Sequence, residues 1–222
     1  MTLPKNILIL TTPRTGSTTL LKMLSYDTKI QPEMFVGASS QEEISNSIDF
    51  YNFISGGDSR VVVKLMHNIL TTTLSASQRK QLIEMIKLRN FYVIRLLRDD
   101  FKNQVFSMAI ADTSNEFAEQ TSKKIRCSHK TFKRTFRFIH SSTLDLNNNI
   151  YDIPIDQDIE FNDVANDNIV IRGHPIKRHL SKHEFLISAD KEKKVRNLKD
   201  MDRWYEQLSL EYGYLQSPTN DL

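Results

Sequence analysis

The chain has 222 residues, enough for one domain, or one domain with a modest helical elaboration, and enough to bury a real core. Six glycines and six prolines exclude collagen-like repeats and long flexible linkers, and the single cysteine, Cys127, excludes a disulfide framework. A formal charge of +3 fits an anionic ligand but is too small to argue for nucleic acid by itself.

No basic stretch followed by a long apolar run opens the sequence. The apolar block Ile7 to Leu10 is too short for a signal core or a membrane span, and no later segment approaches spanning length. The expected location is cytoplasmic.

Lys5 to Leu10 is a short apolar run with little alternation, which predicts a strand buried on both faces. Thr11 to Ser17 breaks that pattern with Pro13 and Gly16, and from Thr18 the leucines at 20, 21 and 24 fall at helical spacing. Strand, tight loop and helix in this order make a βα unit. Arg60 to Met66, rich in β-branched residues, predicts a second strand. Ser75 or Ser77 caps a helix that runs to about Leu88, with Leu82, Ile83 and Ile86 on one face. Asn90 to Leu97 predicts a third strand, and Phe101 to about Glu119 a helix packing through Val105, Met108 and Ala109. This alternation implies an α/β fold, a parallel sheet with helices on its faces. Ligands in such folds sit beyond the carboxyl ends of the strands, so the loops after the first and third of these strands matter most.

Lys123 to Arg137 is basic with interleaved phenylalanines. Phe132, Phe136 and Ile139 repeat at helical spacing, which predicts an amphipathic helix with a solvated basic face; an anion-binding or nucleic-acid surface is the alternative. Leu146 to Asp167, rich in Asn and Asp, predicts loop with short extended pieces, and Asn168 to Arg172 one more strand. Ser188 to Tyr214 predicts a closing helix with Val195, Leu198, Met201, Tyr205 and Leu208 on its apolar side. The whole is expected to be a single domain over 1–222, with an α/β core over 1–120 and a mainly helical and loop-rich elaboration over 121–222.

The sharpest feature is the loop Thr11-Thr12-Pro13-Arg14-Thr15-Gly16-Ser17-Thr18-Thr19. A helix start exposes unpaired backbone N–H groups and the positive end of its dipole, which favour phosphate or sulfate. Gly16 lets the backbone approach closely, the three hydroxyls offer donors, and Arg14 adds a cation able to fork onto two oxygens. A simple turn with a Ser/Thr cap is the plainer alternative. A Walker A loop would carry a leading glycine and a lysine after Gly16; here that position is Ser17, which disfavours an ordinary ATP or GTP site.

Pro13-Arg14-Thr15-Gly16-Ser17-Thr18 resembles the 5′-phosphosulfate loop of the sulfotransferase family, which commonly reads PRSGT or PRTGST after the first strand. The resemblance implies a three-layer α/β/α fold around a central parallel sheet, related to P-loop kinases. It also implies a donor, 3′-phosphoadenosine-5′-phosphosulfate (PAPS), that leaves as PAP. Arg14 then sits at the donor's bridging oxygen, and Thr15, Gly16, Ser17, Thr18 and Thr19 cradle its 5′ end. Sulfotransferases hold the donor's 3′-phosphate with an arginine ending a strand and a serine on the following helix; Arg98 and Ser107 fit that pattern. With Gln104 before the serine, the stretch looks like the bacterial trehalose-sulfotransferase-like branch. Lys177 and Arg178 are further candidates for the 3′-phosphate, or else a solvated basic turn.

Two residues are candidates for the general base on the acceptor hydroxyl. Glu33, in Gln31-Pro32-Glu33-Met34-Phe35, is similar to the P-x-E-[YF]-F stretch of the bacterial branch. His67, in Lys64-Leu65-Met66-His67, looks like the K-x-H of cytosolic sulfotransferases with one extra residue. Lys64 would then help to neutralise the sulfuryl oxygens. No metal is called for in this scheme; His174, His179 and His183 are close in sequence, but a surface turn is the simpler reading. The acceptor is expected to be a small molecule or carbohydrate, including glycolipids. The alternatives are a small P-loop-type nucleotide or metabolite kinase, a nucleic-acid-binding module built on residues 123–137, and a sulfotransferase-like fold without catalysis.

Overall fold

The computed structural model describes residues 3–25, 29–35, 40–114, 124–176 and 195–213, with the backbone alone over 29–33. By their contacts the residues divide into two compact units, 1–99 with 142–182, and 100–141 with 183–222.

The first unit is built on a sheet of five parallel strands: β1 (Asn6–Thr11), β2 (Lys29–Glu33), β3 (Val61–Met66), β4 (Tyr92–Leu97) and β5 (Gln157–Glu160). Their order is β2-β3-β1-β4-β5. Every residue of β1 is buried, as its unbroken apolar run requires of a central parallel strand. Leu8, Leu10, Val61, Val63, Leu65 and Val93 form one core with Ile44, Ile48 and Tyr51 of α2 (Gln41–Gly56) and Leu82, Met85 and Ile86 of α4 (Ala76–Leu88). Side chains alternate across a strand, so Lys64 points to the opposite face from Leu65. There its Nζ lies 3.3 Å from Thr18 Oγ1 on α1 (Ser17–Leu24), which packs on β1 and β3. Helices therefore cover both faces, the α/β arrangement that the alternation of elements predicts.

Ser75 caps α4 through a reciprocal pair with Gln78, and the helix ends at Leu88 as its periodicity implies. Helix α2 has no counterpart among the predicted elements. Its signature is nonetheless local: Ser40 and Glu43 form a capping box, and Ile44, Ile48 and Tyr51 recur on the buried face. Strand β2 and the short α3 (His67–Thr72) are likewise additional. Glu33 is the last residue of β2.

The stretch predicted as loop at 146–167 is more ordered. It contains the end of a long helix, strand β5, and the short α7 (Phe161–Ala165). The strand expected at 168–172 is the first arm of a hairpin, β6 (Ile169–Ile171) with antiparallel β7 (His174–Ile176). Arg172 and Gly173 both have positive φ, 47° and 81°, as a two-residue turn of the favoured hairpin type requires.

The second unit contains α5 (Phe101–Ser114), the long α6 (His129–Asn147) as far as Ser141, and α8 (Leu198–Glu211). Phe132, Phe136 and Ile139 are fully buried on α6 and share a core with Phe101, Val105 and Phe106 of α5 and Met201, Tyr205 and Leu208 of α8. Each large buried side chain stabilises by about 1.5–3 kcal/mol, which fixes the apolar face inward. The opposite face carries Lys133, Arg134 and Arg137, paired with Glu211 and Asp112. The phenylalanines between the basic residues are thus core and not a stacking surface. The basic helix begins at His129, because Ile125 bridges Val195 instead of continuing it. For the same reason the closing helix starts at Leu198 and does not include Val195; residues 188–194 lie outside the described segments.

Candidate functional site

Parallel pairing puts the carboxyl ends of all five strands on one edge. Arg14 follows β1, Glu33 ends β2, His67 follows β3 and Arg98 follows β4. The chain leaves β1 toward the β2 side of the sheet and leaves β4 toward β5, so the two connections part between β1 and β4. Such a switch point is where open α/β sheets take ligands.

The turn between β1 and α1 is tied down by its own hydroxyls. Thr15 Oγ1 donates to the Thr12 carbonyl (3.0 Å) and shares a short hydrogen bond with Thr11 Oγ1, which also lies 3.3 Å from the Leu96 carbonyl of β4. Thr11, Thr12, Thr15 and Ser17 are buried. The Thr15 hydroxyl therefore shapes the turn, while Thr18 is exposed and Thr19 and Arg14 are half-buried. Gly16 is the N-cap of α1, left-handed at φ 79°, ψ 10°, and as a glycine it makes no side-chain cap to the first turn. Arg14 also has positive φ, 65°. Left-handed backbone is costly for a residue with a Cβ, so this loop holds stored strain at the position where the sequence pattern expects an anion.

Two further cations stand at this loop. Lys64 is 6% exposed and lies 3.3 Å from Thr18 Oγ1, a placement that sequence spacing does not reveal because it depends on the β1–β3 register. Arg98 Nη1 donates to the Arg14 carbonyl at 2.7 Å, and its guanidinium lies 4.2 Å above the Phe161 ring. Burial pulls the Arg14 guanidinium below its ordinary pKa, and an arginine stays charged regardless. Arg14, Lys64 and Arg98 thus concentrate positive charge around one helix start.

Glu33 pairs with Lys64 in the strand register, and the next amide, Met34 N–H, donates to the Lys64 carbonyl at 2.7 Å. His67 is 1% exposed, with its ring stacked on Tyr151 at 5.8 Å. Its Nδ1 is buried without a hydrogen-bond partner among the described residues, and burial, opposed by Asp145, lowers its pKa. A depressed histidine pKa destabilises the fold once the unfolded chain takes up its proton, so stability is complete above the ordinary value and is lost as pH falls below it. We expect Tm to fall between about pH 7.5 and 5.5, and His67→Gln to flatten that fall. His140, lowered by burial in the same direction, leaves part of the slope in place. A Tm–pH profile of the variant with the wild-type slope would refute this assignment.

Ser107 is half-buried on α5 and belongs to the second unit. Lys177, Arg178, His179 and His183 lie outside the described residues. Among the described residues no group of three His, Cys, Asp or Glu side chains is arranged to hold a metal ion, and no helix is long and apolar enough to cross a membrane. Phe161 is the site residue that sequence reasoning misses. It follows a short polar strand, Gln157-Asp158-Ile159-Glu160, that reads as loop.

No protein-family model matches the chain, and no curated protein matches it. Among solved structures, mouse sulfotransferase SULT7A1 complexed with PAP is similar at 11% identity and a TM-score of 0.35, covering 98% of this chain and 86% of that one. A likeness of that size carries neither fold nor function, which rest on the geometry above.

Proposed function

We propose that the chain is a sulfotransferase that moves a sulfuryl group from PAPS to an acceptor hydroxyl, of a small molecule or carbohydrate, and releases PAP. The observation that carries this reading is the uncapped, glycine-started helix after β1, with Arg14 in the loop and the buried Lys64 held at Thr18. In the transfer, the acceptor oxygen forms a bond to sulfur while the bond from sulfur to the bridging oxygen breaks. The acceptor proton goes to a base, and the electron pair leaves with PAP. Such in-line transfer needs positioning and charge stabilisation more than covalent help. Arg14 and the first-turn N–H groups serve the leaving oxygen, Thr18 and Thr19 complete the cradle, and Lys64 serves the sulfuryl oxygens. Arg98, with five N–H donors on one planar group, is assigned to the 3′-phosphate.

The proposed base is Glu33, which stands beside Lys64 in the strand register. Glu33→Gln should lower kcat about 100-fold or more while leaving PAP affinity unchanged, within the range a positioned base supplies. A variant His67→Ala that alone reproduces this result would transfer the role to His67.

A metabolite kinase is the second reading, because Lys64 brings to the loop an ammonium that the Ser17 position lacks. Thermal-shift titration separates the two. PAP should raise Tm and ATP with magnesium should not; the reverse result would select the kinase.

A further inference from the structure

The loop that receives the anion adopts a backbone that two of its residues, Arg14 and Gly16, hold at positive φ, and something must hold it there before ligand arrives. The β4–β5 register supplies the means. Leu97 pairs with Glu160, so the residues that follow, Arg98 and Phe161, emerge side by side at the carboxyl edge. The Phe161 ring lies 4.2 Å from the Arg98 guanidinium carbon. Held there, the guanidinium donates to the Arg14 carbonyl at 2.7 Å. The same ring lies against the other positive-φ residue, since a Cβ built on Gly16 would stand 2.8 Å from Phe161 Cδ2 and 2.9 Å from Cε2. One aromatic side chain thus lies against Gly16 directly and reaches the Arg14 carbonyl through the Arg98 guanidinium.

We propose that Phe161 is a positioning residue: its face fixes Arg98 against the Arg14 carbonyl and its edge seats Gly16, so that the loop is preorganised to receive the donor's 5′ end. The proposal rests on the anion-loop reading for its purpose, but the brace itself exists without ligand. Arg98 consequently has a structural duty toward the loop in addition to the phosphate contact assigned above. An aromatic face is needed because an aliphatic side chain fills the space without attracting the cation.

Amide hydrogen exchange of the ligand-free chain tests this. Phe161→Leu should speed exchange in a peptide covering residues 11–20 by about ten-fold, the range of one cation–π contact, while a peptide from α4 stays at the wild-type rate. Phe161→Tyr, which keeps the face, should exchange like wild type. Arg98→Lys should reproduce the loosening, and the double variant should exchange no faster than either single one, as expected of two residues acting as one unit. PAP affinity should drop by a similar factor in Phe161→Leu. Wild-type exchange over 11–20 in Phe161→Leu, an equal rise in α4, or additive effects in the double variant would overturn the brace. If Phe161→Leu does not fold, Arg98→Lys decides alone, and wild-type loop exchange in it has the same force. A wild-type chain that ignores PAP would sink the sulfotransferase reading, yet the exchange result would still stand or fall by itself.

Discussion

Arg14→Ala should lower turnover of PAPS about 100- to 1000-fold, because in the proposed transfer it removes a preorganised cation from the oxygen on which charge grows. The loss corresponds to about 3–4 kcal/mol of transition-state stabilisation. Two features make the effect large. Arg14 follows a strand whose six residues are all buried, so its backbone is placed by the core and not by a mobile surface segment. Half-burial of its side chain also weakens the screening that water would otherwise provide. Lys64 does not replace it, since its ammonium is engaged by Thr18 Oγ1 at 3.3 Å. The fold should be nearly unchanged, because the bond received from Arg98 is accepted by the Arg14 carbonyl and survives the substitution. Steady-state kinetics checks the prediction, and retention of most activity would refute the role.

Gly16→Val should destabilise the first unit and abolish anion binding together. Left-handed backbone at φ 79° costs a β-branched residue at least the ~1–2 kcal/mol of any residue with a Cβ. The new side chain also meets the Phe161 ring at 2.8 Å, and overpacking of this kind costs roughly 1–3 kcal/mol more. The sum, about 2–5 kcal/mol, is a Tm loss of roughly 4–20 °C for a chain of this size. Differential scanning calorimetry with and without PAP reads both effects. Gly16→Ala should lie between wild type and Gly16→Val. An unchanged Tm in the valine variant would show that the Phe161 contact yields at no cost.

The loop and its neighbours were legible because their signals are local. An unbroken apolar run marks β1, a β-branched run marks β3, and the Ser75 cap with its periodic leucines marks α4. The core face of α6 was equally plain from Phe132, Phe136 and Ile139. Helix α2 was readable in principle from Ser40 and Glu43, yet its apolar positions are sparse and its exposed Phe50 and Phe53 blur the stripe. Strand β5 carried no such signal. Its four residues include three polar ones, and it exists because β4 offers an open edge, which Arg95 and Asp158 fasten with an ion pair at 2.7 Å. Phe161 was hidden with it. Lys64 was visible as a residue, but its nearness to Thr18 depends on the register of β1 against β3, which no spacing along the chain encodes. The closing helix starts later than its apolar period predicts, because pairing with Ile125 takes Val195 into extended backbone.

If the start of α1 seats a bisphosphorylated nucleotide, as proposed, the chain binds PAP through its 3′-phosphate as well as its 5′ end. Isothermal titration of the full chain with PAP, set against adenosine 5′-monophosphate, tests it most directly. PAP should bind at one saturable site, the nucleotide without the 3′-phosphate should bind at least ten-fold more weakly, and the PAP signal should be lost in Arg14→Ala. No heat with PAP, or equal binding by wild type and Arg14→Ala, would contradict it.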